Sequence, residues 1–216
     1  MIDQADLLQS KDFTETASDL RTEILVIGVG NLLMGDEGVG IHALRTLEQA
    51  GVVPGACLLD GGVGGVNLLG EIMEARVVIM IDATRDGRPA GTVTLLRPEK
   101  VTELPRDLSA HDFGLKDLFA AAALLGQMPE IHLFTISVET VNPMCMELSP
   151  PVAAVVPVVV KAVRELAQQL ASAHASRMES PPSDAKAEAP SIPVTSPASH
   201  AHVSLLFSKP HEFIIS

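Results

Sequence analysis

Residues 24–44 read ILVIGVGNLLMGDEGVGIHAL. An apolar, β-branched run ends in Gly28-Val29-Gly30, and a helical pattern starts near Glu37. A strand that turns through glycines into a helix is the opening unit of a doubly wound α/β domain, and that first turn often cradles a phosphate. Here Leu33 stands where the third glycine of a G-x-G-x-x-G turn belongs, and Asp36 and Glu37 follow it. A phosphate at this mouth would meet two carboxylates, so a dinucleotide-dependent dehydrogenase is disfavoured.

Further runs of the same kind follow at 55–62, 76–83, 91–98 and 131–138. Most are continuously apolar, as expected of strands buried on both faces of a sheet. Helical patterns occupy 37–50, 64–74 and 112–126, and a last helix should open at Ser149-Pro150, an N-cap followed by proline at the first helical position. Val152, Val155, Val159, Val163, Leu166 and Leu170 hold one face of it, while Pro157 predicts a kink or a later start. The link TRDGRPAG between the third and fourth strands is too short for a parallel crossover, so the fourth strand should run antiparallel, at an edge. The expected fold class is α/β: a three-layer α/β/α sandwich with a five-stranded, mostly parallel (mixed) sheet.

The chain has 216 residues, of which 47% are hydrophobic, enough for one aliphatic core without Trp or Tyr. Residues 1–22 are a polar leader expected to be disordered, 23–173 form the domain, and 174–216 open with a Ser-, Pro- and Ala-rich tail expected to be disordered. The closing VSLLFSKPHEFIIS is apolar enough to dock, at a place the sequence does not name. No run reaches the roughly 18 apolar residues of a membrane helix, and the acidic start lacks the features of a secretory signal. Two cysteines, Cys57 and Cys145, make no disulfide framework, which fits a cytoplasmic protein. The formal charge of −12 argues against nucleic acid or an anionic membrane as partner.

In such a sheet ligands bind beyond the carboxyl ends of the strands, where strand order reverses. The loops on that rim carry Asn31, Asp36 and Glu37 after strand 1, Asp60-Gly61-Gly62 after strand 2, Asp82 at the end of strand 3, and Ser109-Ala110-His111 ahead of the third helix. Two carboxylates and an imidazole suit a divalent cation of intermediate softness. Plainer roles compete. Asp36 or Glu37 can simply favour a helix N-terminus, and Glu37 taken alone is better explained that way. Asp60 before two glycines is a common turn residue. Asp82 resists such a reading, because a carboxylate ending a strand as apolar as VVIMI needs a partner. A lone histidine near a helix start, as His111 is, more often hydrogen-bonds locally. No GxSxG, HExxH or CxxC signature is present.

Taken together, ILVIGVGNLLMGDEGVG, LLDGG, IDA, SAHDFGL, SVET-VNP and ELSPPV, in that order over residues 23–172, resemble the hydrogenase maturation endopeptidase family. The resemblance implies a protease that clips a C-terminal extension from the precursor of the [NiFe] hydrogenase large subunit once nickel is seated. It implies a metal-binding trio at Glu37, Asp82 and His111, with Asp60 as a supporting residue. No catalytic nucleophile and no bound organic cofactor are assigned. Val138 stands where the family often has proline, which leaves Glu139 without an assigned role. Nickel is then expected to arrive with the substrate rather than reside in the free enzyme. Two other functions fit the same rim: a general metal-dependent hydrolase or peptidase, and a non-catalytic nickel-site chaperone.

Overall fold

The computed structural model describes residues 22–51, 53, 55–100, 103, 115–126, 128–178, 205–209 and 212–215. The leader, His111 and most of the tail lie outside them.

The elements are β1 (Thr22–Gly28), α1 (Val39–Gln49), β2 (Ala56–Asp60), α2 (Leu69–Glu74), β3 (Ala75–Thr84), β4 (Val93–Leu96), α3 (Leu115–Leu124), β5 (Glu130–Ser137), α4 (Pro150–Met178), β6 (Leu205–Lys209) and β7 (Glu212–Ile215). Single 3₁₀ turns at Gly35–Gly38 and Val66–Leu68 lead into α1 and α2. The core sheet runs β2-β1-β3-β5-β4. The β1–β2, β1–β3 and β3–β5 pairs are parallel, and β4 pairs antiparallel with β5, as the short link before it requires. This is the mostly parallel, five-stranded α/β sheet expected from the apolar runs.

Side chains alternate across it. Ile24, Val26, Val77, Ile79 and Ile81 meet Ala43, Leu44 and Leu47 of α1 and the valines of α4. Leu25, Ile27, Val78, Met80 and Leu133 meet Ile72 of α2 and Leu118 and Phe119 of α3. Both faces are covered, which is why the strands read as unbroken apolar runs.

Three expectations need correction. β4 is not an edge: β7 pairs antiparallel along it, with Thr94 opposite Ile214, and β6 pairs with β7, so the sheet has seven strands. The closing segment, apolar enough to dock but with no place named by the sequence, supplies that hairpin, and α4 runs four residues past position 174, the expected start of the tail. Nor does α4 start late. It opens at Pro150 and continues through Pro157. Pro157 and Ala153 both lie on the exposed face, where water can satisfy the Ala153 carbonyl that proline leaves without a donor. No helix among the described residues is long and apolar enough to cross a membrane.

Candidate active site

Strand order reverses between β2 and β3 on either side of β1, which places the crevice at the carboxyl end of β1. Gly28 stands in register with Asp60 on one side and Ile81 on the other. Past it, Val29 N–H donates to the Ile81 carbonyl (2.9 Å), Gly61 N–H to the Gly28 carbonyl (2.9 Å), and Gly30 N–H to the Gly62 carbonyl (2.7 Å). These bonds fasten the loops after β1 and β2 to the end of β3.

Glycine is required where the backbones come closest. A Cβ on Gly40 would stand 2.2 Å from the Val29 oxygen and 2.3 Å from the Ile81 oxygen. Gly40, in the first turn of α1, therefore provides the close helix–strand packing that a third glycine provides in a dinucleotide turn. At Gly30 (φ +144°) a Cβ would fall 2.0 Å from the Glu37 carbonyl oxygen, so this glycine lets the GDEG turn fold back onto the strand exit.

That turn carries two buried carboxylates with different surroundings. Asp36 accepts from the backbone N–H of Ser149 through Oδ1 (2.6 Å) and from the Ser149 hydroxyl through Oδ2 (2.7 Å). Ser149 caps α4, its carbonyl receiving the Ala153 N–H at 2.8 Å. The helix terminus that Asp36 serves is thus that of α4, not that of the adjoining α1. Glu37 is 5% exposed, and its Oε2 is buried with no hydrogen-bond partner. A buried carboxylate oxygen without a partner is costly, and a cation brought to it would remove that cost.

Asp82 is fully buried in β3, opposite Thr135 of β5, and its Oδ1 accepts from the Ala83 N–H at 2.8 Å. By strand alternation it shares the face of Val78 and Met80, the face that α3 covers. Asp60 is half-exposed, accepts the Gly62 N–H through Oδ1 (2.9 Å) and lies 3.7 Å from Arg45, which is the turn role its sequence suggests. Glu37 and Asp82 thus stand on elements that pack together, the GDEG turn on β3. Among the described residues no three His, Cys, Asp or Glu side chains cluster as a complete cation site; His111, the third expected member, lies outside them.

A groove of about 390 Å³ opens between the exits of β3 and β5, lined by Arg85, Gly87, Arg88, Pro89, Val138 and Glu139. Glu139 is held there by the Ala90 N–H (3.4 Å). Burial raises the pKa of the neighbouring Asp86, but the hydrogen bonds from Arg88 and Ser137 and the Arg88 charge outweigh it and hold the carboxyl below the usual range. Sequence reasoning missed this groove, because its walls come from positions some fifty residues apart.

Buried carboxylates on a glycine-built turn, at the switch point of a mostly parallel sheet, place the candidate site at the carboxyl rim of an α/β domain. The profile of the hydrogenase maturation protease family matches residues 41–166, more than half of the chain, and the chain belongs to that family. It is 36% identical over 137 residues to the hydrogenase 2 maturation protease of Escherichia coli K12, covering 62% of this chain and 83% of the relative. It is 37% identical over 123 residues to the hydrogenase expression/formation protein HupD of Thiocapsa roseopersicina, covering 56% and 55%, so the chain matches about half the length of that relative. Among solved structures, the hydrogenase maturating endopeptidase HybD of E. coli aligns with a TM-score of 0.56 and 31% identity, over 73% of this chain and 94% of that one. The [NiFe] hydrogenase maturation protease HybD of Thermococcus kodakarensis aligns with a TM-score of 0.54 and 31% identity, over 67% and 99%.

Proposed function

We propose that this protein is an endopeptidase that removes the C-terminal extension of a [NiFe] hydrogenase large-subunit precursor after nickel insertion, acting in the cytoplasm. Membership of the maturation protease family supports the reaction class. The observation that carries the reading of the site is Glu37: buried, acidic, and short of a partner at one oxygen, beside the strand that carries Asp82.

On this reading Glu37, Asp82 and His111 meet nickel that is already seated in the precursor. Three protein ligands, two of them hard carboxylates, compete poorly for free nickel against the thiolates of an assembling hydrogenase centre. They can complete the coordination of an ion that the substrate holds, which sets the neighbouring peptide bond in a fixed place for hydrolysis. The ion is then part of the substrate. Asp60 keeps the β2 loop in place through its turn and remains a supporting residue.

Incubation with purified, nickel-loaded precursor separates the readings. A single shortening at the C-terminus is the expected result. Cleavage of unrelated peptides would instead indicate a general metal-dependent hydrolase, and binding without cleavage a nickel-site chaperone.

A further inference from the structure

We infer that the rim around Glu37 and Asp82 is a docking collar for the folded precursor, formed by Leu33, Val63, Met144 and Met146. The inference rests on the function proposed above and adds the surface by which the substrate is held.

Among the described residues six large apolar side chains are exposed: Leu33 (50%), Val63 (49%), Leu124, Leu125, Met144 (85%) and Met146 (55%). Four of them stand on the carboxyl rim. Leu33 is in the loop after β1, Val63 in the loop after β2, and the two methionines in the connection from β5 to α4. Leu124 and Leu125 close α3, at the opposite end of the sheet, ahead of the amino end of β5.

Met144 is held in place for display. It is the one non-glycine residue with positive φ (+61°) among the described residues, a conformation that methionine adopts only when its surroundings impose it. The loop is fastened close to it: Gly35 N–H donates to the Cys145 carbonyl (2.7 Å), Cys145 N–H to the Asn142 carbonyl (3.3 Å), and the His42 ring bonds the Met146 carbonyl (3.2 Å). Gly35 opens the turn that carries Glu37, so this bond ties the methionine loop to the acidic turn. Thioether side chains adapt to a protein surface better than branched ones.

The occupant is a folded protein with apolar surface around the segment to be cut. The collar stands on the same carboxyl rim as the acidic turn, so a folded substrate seated over Glu37 covers it, whereas a short free peptide would leave it in water. A second copy of this chain is disfavoured, because two copies each carrying a formal charge of −12 repel.

The test compares Leu33→Ser/Met144→Asn, in which Asn tolerates the left-handed backbone, with Leu124→Ser/Leu125→Ser. Cleavage and equilibrium binding of nickel-loaded precursor are both measured on the full chain. The rim variant is expected to raise KM and Kd tenfold or more with kcat within twofold of wild type, and the α3 variant to change neither. A rim variant whose KM and Kd stay within twofold of wild type overturns the collar. So does a wild-type dimer, seen by sedimentation, that the rim variant makes monomeric. If wild type binds precursor in a collar-dependent way but never cleaves it, the catalytic reading fails and the collar stands.

Discussion

Asp36 and Ser149, 113 positions apart, are joined by two short hydrogen bonds to one carboxylate, at 2.6 and 2.7 Å. The acidic turn and the start of α4 are thereby one unit. Ser149→Ala removes the hydroxyl and leaves a buried carboxylate oxygen short of a donor, with an expected loss of about 1–3 kcal/mol. Asp36→Ala should cost more, since both bonds go. The double variant should cost less than the two losses added, because the partners share one interaction. Urea unfolding of the three variants measures this.

Glu37 has the opposite balance. Its unpartnered oxygen makes it a burden on the free fold, so Glu37→Gln, which removes the charge at constant size, should leave the melting temperature unchanged or raise it. Cleavage of loaded precursor should fall by about 100-fold or more, as for loss of a metal-contacting group. Paired thermal melts and cleavage rates check both halves.

Gly40 and Gly70 both lie in helices, and their alanine variants should diverge. At Gly40 the new Cβ meets two backbone oxygens that cannot swing away, so a loss of about 3 kcal/mol or more is expected. At Gly70 it meets nothing within 4 Å, and the lower entropy of the unfolded chain should stabilise by up to ~1 kcal/mol. Denaturant midpoints of the two variants decide it.

His132 is buried in β5 and its imidazole pKa lies below the ordinary 6.5. Burial is the main cause, the Arg97 charge adds to it, and the Glu130 interaction opposes it. Nε2 meets the Glu130 carboxylate at 2.8 Å and so carries the proton, while Nδ1 has no partner. Below about pH 6.5 the unfolded chain takes up a proton that the native chain refuses. The associated stability is therefore complete above 6.5 and lost as pH falls toward the depressed native value. Between pH 7.5 and 5.5 wild type should lose more stability than His132→Gln, read as the shift in urea midpoint. Parallel shifts in the two proteins would contradict this.

The core sheet was legible because burial on both faces writes unbroken apolar runs, and because the eight residues of TRDGRPAG could not carry a parallel crossover. The rim was legible for the same reason: the loops after β1, β2 and β3 follow those runs directly. Three features were not. Gly40 takes the third-glycine role ten residues past Gly30, because the GDEG turn is inserted between them, so no fixed-spacing motif finds it. Asp36 finds its partner across 113 positions, a contact that only the packing of α4 beside α1 creates. The C-terminal hairpin pairs with β4, a strand distant in sequence, and composition does not name that partner.

The most direct test concerns where the nickel resides. The protein is purified without added nickel, treated with chelator, assayed for bound metal, and mixed with nickel-loaded or nickel-free precursor; intact mass then reports cleavage. The expected result is well under one equivalent of metal per chain, a single C-terminal shortening of loaded precursor, and no change in nickel-free precursor. One tightly held ion per chain, whose removal abolishes cleavage of loaded precursor, would contradict the account and make this an ordinary metallopeptidase.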